Sequence, residues 1–130
     1  MNYALLVLTS PASGHGALTA ARFARAVLAR GHSIRRVFFL DEGTVNGSAA
    51  AVFPQDEADR LQPWVELAQL HGVELVLCIS SAIRYGMLDE TGAGRYGKAA
   101  ATTHPAFTIS GLGQLVDAAA AVDRLVTFGG

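Results

Sequence analysis

Apolar residues in this chain gather into short runs separated by polar, glycine-containing stretches. The run Tyr3 to Leu8, closed by Thr9-Ser10-Pro11, reads as a buried strand ending in a turn. From Gly16 to Arg30 the pattern changes period. Leu18, Ala21, Ala24 and Leu28 recur near helical spacing in an alanine-rich segment, and Gly31 supplies the stop. Ile34 to Leu40 is a second strand, followed by a loop holding Asp41, Glu42, Gly43, Asn46 and Gly47. A helix covers much of Asp59 to Leu70 and stops at Gly72. Pro63 lacks an amide hydrogen, so the helix either bends there or begins its regular part near Gln62.

Val73 to Ile79 forms the third strand, with Ser80-Ser81 as the expected N-cap of a short helix. Gly86 to Gly97 reads as a glycine-rich loop. Phe107 to Ser110 is a short strand, Leu112 to Val122 a helix, and Arg124 to Phe128 the last strand. Strands alternating with helices predict a single α/β domain over residues 1–130. Its architecture is three-layered, a mostly parallel sheet of about five strands with helices on both faces. The order of the strands is not encoded in the pattern.

Composition narrows the function classes. Apolar residues make up 51% and charged residues 16%, which argues against disorder and leaves surface for partner subunits to cover. A net charge of -1, with ten dispersed basic residues, gives no global attraction for nucleic acid or an anionic membrane. No uncharged apolar stretch is long enough to span a bilayer, and no basic cluster precedes the first apolar run. The single cysteine cannot form an internal disulfide. A free thiol suits a reducing compartment, and the cytoplasm is the expected location.

That cysteine, Cys78, falls at the carboxyl end of the third strand, where reactive groups collect in open α/β sheets. A helix starting just after it, with Arg84 nearby, favours a thiolate. The expectation is an accessible thiol, more acidic than the usual value of about 8.5. The plainer alternative is a buried small hydrophobe. Position alone leaves both standing.

Other signals are weaker. Gly14-His15-Gly16 after the first strand, with Asp41 ending the second, partly matches a dinucleotide fingerprint, but Thr19 stands where the third glycine belongs. Gly111-Leu112-Gly113 is also incomplete, so turns and caps explain these glycines better than flavin or nucleotide binding. His15, His32, His71 and His104 lack metal-ligand spacing. His32 and His71 flank helix-ending glycines, where an imidazolium meets free carbonyls. Asp89-Glu90 reads as a solvated acid pair, and Trp64 as a core or interface residue. No cofactor or metal site is expected.

The same segments resemble the DsrE/TusD family of bacterial sulfur-relay proteins across nearly the whole chain. The likeness runs through Gly31-His32, Arg36-Val37-Phe38-Phe39, Trp64, His71-Gly72-Val73, Cys78, Arg84, Gly86 and Asp89-Glu90. Its most specific part is Ser110-Gly111-Leu112-Gly113-Gln114-Leu115-Val116, then Asp123-Arg124-Leu125-Val126. The resemblance implies that Cys78 carries sulfur as a persulfide, with no prosthetic group. It also implies two related subunits in a heterohexamer, and upstream and downstream carrier proteins. Sulfur would pass toward 2-thiouridine at the tRNA wobble position, or, in a DsrE-type alternative, belong to dissimilatory sulfur oxidation. A noncatalytic assembly subunit is the rival from another class. Ser80-Ser81 and Tyr85 depart from the small apolar residues and second arginine common in the family, as do Glu42 and Thr44 from its usual Asp-Gly-Val stretch.

Overall fold

The computed structural model describes residues 1–130. Five strands, β1 (Asn2–Val7), β2 (Ser33–Phe39), β3 (Glu74–Cys78), β4 (Phe107–Ser110) and β5 (Arg124–Phe128), form one sheet. Every neighbouring pair is parallel, and the order is β4-β3-β2-β1-β5. The helices are α1 (Gly16–Ala29), α2 (Gln62–His71), α3 (Ile79–Arg84), α4 (Glu90–Arg95) and α5 (Gly113–Ala121).

From β1 to β4 each strand is laid beside its predecessor in one direction across the sheet. Right-handed crossovers keep connections of that kind on a single face. β5 then returns to the far side of β1, which reverses the direction of travel. The same handedness sends α5 across the opposite face. Side-chain alternation agrees with this division. Val37, Phe39, Leu75 and Leu77 pack with Trp64 and Leu67 of α2 and the alanines Ala20, Ala21 and Ala24 of α1. Phe38, Val76 and Cys78 point the other way, where Leu115 of α5 meets them.

The two faces are unequal. The α1–α2 face holds a core of 17 buried residues, centred on Trp64 edge-on to Phe39 with ring centroids 5.1 Å apart. Burying each large apolar side chain there contributes about 1.5–3 kcal/mol, so this face carries most of the stability. The α5 face has only the three-residue cluster, and a charged residue stands beside it. Arg36 is 6% exposed. Its Nε donates to Glu74 Oε2 at 2.7 Å, and its Nη1 donates to Gln114 O at 2.9 Å and Asp117 Oδ2 at 3.2 Å. Arg35 Nη2 reaches the same Asp117 oxygen at 3.0 Å. A buried guanidinium is tolerated only when its donors are met in this way. The network ties β2 to β3 and both to α5.

Several boundaries differ from the sequence expectation. α2 starts at Gln62, with Pro63 in its first turn, where the missing amide costs nothing. Asp59 Oδ1 accepts from the amides of Leu61 and Gln62, ahead of the helix rather than within it. Asp41–Gly47 is a 3₁₀ segment and not an open loop. The stretch Gly86–Gly97 contains α4, because Asp89 caps it by accepting from the Gly92 amide at 2.7 Å. Gly92 and Gly94 disguise that helix, and Asp89-Glu90 is therefore a helix start and not a free acid pair. Gly72 does end α2, in a left-handed conformation with φ 65°.

Two predictions follow from this packing. A Cβ on Gly43 would lie 2.1 Å from Val7 O in a central strand, whereas one on Gly94 meets nothing within 4 Å. Gly43→Ala should therefore lose about 1–3 kcal/mol in urea denaturation through overpacking. Gly94→Ala, in α4, should gain up to about 1 kcal/mol. The second concerns acid. Hydrogen bonds from Arg35 and then Arg36 hold the Asp117 carboxyl below its ordinary 3.8. A depressed folded-state pKa gives stability that is complete above the unfolded value and is lost as pH falls through the folded one. Melting temperatures of the native protein and Asp117→Asn should therefore differ at pH 6 and converge on acidification below about pH 4.

Candidate functional site

In open parallel sheets, sites collect outside the carboxyl ends of the strands. Here the segments that follow two neighbouring strands, β3 and β4, diverge to opposite faces. β3 runs into α3, whose Ala82 joins the large core, while β4 runs through Gly111 into α5 on the other face. The last register pair of the two strands is Cys78 with Ser110. The only cysteine of the chain thus stands where the two paths diverge.

Depressions lie on both sides of it. On the α3 side, Ile79, Ile83, Met87, Leu88 and Ile109 line an apolar groove of about 500 Å³, rimmed by Asp89, Arg95 and Tyr96. On the α5 side, Arg36, Val76, Thr108, Ser110 and Gln114 line a more polar cleft of about 670 Å³ that is open to solvent. Cys78 lines neither. It is 2% exposed and packs with Phe38 and Val76, with Leu6, Leu40 and Leu115 around that cluster.

This overturns the expectation of an accessible thiol. The strand pleat turns the side chain to the α5 face, and Leu115 comes down on that cluster from the helix. Cys78 is itself the N-cap residue of α3, but its sulfur makes no cap hydrogen bond with that helix. Arg84 sits exposed in the last turn of α3, at the far end from Cys78, and so does not act on the sulfur. Ser80-Ser81 does not cap α3, which begins at Ile79. Ser81 is instead buried, and its Oγ accepts from the Asp41 amide at 2.9 Å. That bond fastens the turn after β2 to α3, next to the crevice.

The remaining candidates are drawn elsewhere. Gly16 approaches backbone, not a ligand: a Cβ there would meet Gly129 O at 2.8 Å and Thr9 Cγ2 at 2.6 Å. The tail after β5 is what packs against this glycine. His32 Nδ1 lies 2.8 Å from the N-terminal nitrogen. His71 ends α2 beside Gly72 and His15 precedes α1. His104 Nδ1 accepts from the Ala106 amide at 3.0 Å and braces the turn into β4. No group of three or more His, Cys, Asp or Glu residues is placed to hold a metal ion. The sequence reading missed Arg36, Glu74 and Asp117. A charged residue in the otherwise apolar run Val37-Phe38-Phe39, opposite an acid one strand away, was the available signal.

Chemically, the site offers a sulfur nucleophile with no histidine or carboxylate hydrogen-bonded to it. Such a site is poorly suited to acyl transfer, which needs a general base and an oxyanion hole. It suits exchange between sulfur atoms, in which the attacking group is a thiolate and so is the leaving group.

Known proteins point to the same chemistry. The DsrE/DsrF-like family matches residues 1–128. DsrE of Allochromatium vinosum is 43% identical over 129 residues, 99% of each chain. The sulfurtransferase TusD of Serratia proteamaculans is 45% identical over 124 residues, 95% of this chain and 96% of its own. The crystal structure of the ychN protein from E. coli superposes with a TM-score of 0.72, covering 98% of this chain and 99% of the other, at 16% identity. That last likeness concerns the fold.

The Ser81 bond is directly testable. Ser81→Ala leaves the Asp41 amide without its acceptor and should cost about 1–3 kcal/mol in chemical denaturation. Circular dichroism of the folded variant should be unchanged, because the serine contributes no helix cap.

Proposed function

The chain belongs to the DsrE/DsrF-like family, and on that footing we propose that it is a sulfur-relay sulfurtransferase whose carrier residue is Cys78. The observation that carries this reading is the place of the only cysteine, at the β3–β4 crevice of the sheet. The Cys78 thiolate attacks the terminal sulfur of a donor protein's cysteine persulfide. The donor's S–S bond breaks and the donor leaves as a thiolate, while Cys78 becomes the persulfide. A second carrier thiolate then takes that terminal sulfur and returns Cys78 to a thiolate. No net oxidation occurs, and each step exchanges one S–S bond for another.

The sulfur is destined for 2-thiolation of the tRNA wobble uridine. A DsrE-type role in dissimilatory sulfur oxidation is the second reading, favoured by the 43% identity to the A. vinosum protein. The local chemistry is the same in both, so wobble-uridine thiolation in a strain lacking the gene discriminates them. Loss of 2-thiouridine supports the first and an unchanged level supports the second.

The protein works beside two related subunits in a heterohexamer. Exposed apolar side chains on both sides of the crevice support this: Ile79, Ile83 and Tyr96 near the groove, Leu112 just before α5 and Val116 on it. No helix is long and apolar enough to cross a membrane. A reducing cytoplasm keeps Cys78 available as a thiol, and with a net charge of -1 any tRNA contact falls to a partner.

Cys78→Ser isolates the chemistry. Serine is a poor nucleophile without a base and forms no persulfide. The wild-type protein exposed to a persulfide donor should gain the mass of one sulfur atom at Cys78 on mass spectrometry. The variant should gain none, while its melting temperature shows that it still folds. Undiminished sulfur uptake by the folded serine variant would overturn the assignment.

A further inference from the structure

If Cys78 carries sulfur, something must uncover it, since it is 2% exposed. The polar cleft already reaches Ser110, its partner in the register, and Val76, its neighbour on the same sheet face. The first turn of α5 borders that cleft through Gln114, and its next residue, Leu115, packs with Leu6 and Leu40 on the cluster that contains Cys78.

The turn is lightly held. Of the residues in α5, only Ala118 is buried, whereas Val116 and the preceding Leu112 are exposed. Gly111 and Gly113 bracket its start, and nothing lies within 4 Å of where a Cβ would stand on either. The polar anchor is Arg36. Its Nη1 bonds Gln114 O and Asp117 Oδ2 on the helix, while Glu74 fixes the other edge of the guanidinium. The Arg36 side chain is 7% exposed but that of Asp117 is 57% exposed. One end of the latch is therefore embedded in the sheet, and the other is open to water, where ion pairs are weak.

We propose that the first turn of α5 is a lid over Cys78, and that Arg36 is the positioning residue that latches it shut through Gln114 and Asp117. The proposal rests on the reading of Cys78 as the sulfur carrier. Closed, the lid keeps water and stray thiols from the persulfide, whose terminal sulfur any thiolate can remove. Open, it joins the cleft to the sulfur and admits the donor or acceptor cysteine. The exchange chemistry needs no other group to move. Such a lid opens at a free energy well below that of global unfolding.

The test is the alkylation rate of Cys78 by iodoacetamide in the intact protein, over a range of low urea concentrations, with global stability measured in parallel. Opening of the lid predicts a rate in the absence of urea that is insensitive to urea and exceeds what global unfolding supplies. Asp117→Asn removes the charge on the exposed end of the latch and leaves Arg36 paired with Glu74. It should raise that rate a few-fold, as expected for a solvent-exposed ion pair, beyond any change in global stability. Asp117→Glu should restore much of the protection, and Leu115→Ala should raise the rate with the latch intact. A native rate that tracks global unfolding alone, or an Asp117→Asn rate that rises no more than its stability falls, would overturn the lid. Sulfur uptake from a persulfide donor, measured on the same samples, separates the two ideas. Uptake without the alkylation signature sinks the lid and leaves the carrier. The alkylation signature without uptake sinks the carrier and leaves a lid over an ordinary thiol.

Discussion

The handedness of strand–helix–strand crossovers is the constraint from which the rest of this structure descends. Four strands laid in one direction commit α1, α2 and α3 to one face of the sheet. The return of the chain to place β5 beside β1 commits α5 to the other. That single reversal sends the segments after β3 and β4 to opposite faces, and the chain sets its only cysteine at the end of β3, where they diverge. It also leaves one face with one helix. A thick core on the first face supplies stability, and the thin second face is free to be a working surface.

The working face is built around a buried cation. Arg36 is expensive to desolvate, and its partners Glu74, Asp117 and Gln114 O offset that cost while joining three elements. An apolar residue at this position would fasten α5 more simply, because hydrophobic replacements of buried ion pairs are often neutral or stabilising. What the arginine adds is direction, since a guanidinium fork fixes the helix at two named acceptors. It also adds sensitivity, since the outer acceptor is solvated. The proposed lid would therefore open along a polar cleft. In this account burial and function do not conflict: a persulfide is both useful and labile, and it benefits from being covered between exchanges.

Much of the fold was legible in the sequence because its signals are local. Tyr3 to Leu8 and Val73 to Ile79 are largely apolar runs of strand length, and Gly31 and Gly72 stop helices by adopting positive φ. Pairing order was not legible, because strands buried on both faces carry no register mark that names a neighbour. α4 was hidden by its glycines, since propensity argues against a helix that the Asp89 cap nevertheless secures. At the site, the strand-end position of Cys78 was readable but its burial was not. Which face a strand residue occupies is a matter of period, whereas what covers that face depends on the distant α5. The serine pair shows the same limit. Ser80-Ser81 has the composition of a cap, yet the helix starts two residues earlier and Ser81 serves the Asp41 amide from another strand's end. The resemblance to the sulfur-relay family singles out Cys78, but only the packing of Leu6, Leu40 and Leu115 around its cluster shows that it is sheltered.

The claim on which this account turns is that sulfur passes through Cys78 rather than merely near it. A single-turnover experiment with isotopically labelled persulfide on the donor, quenched in time and followed by peptide mapping, measures that directly. The account predicts that the label appears first on the peptide containing Cys78, and then declines there as it arrives on the acceptor. Label that reaches the acceptor at full rate without ever occupying Cys78 would contradict it.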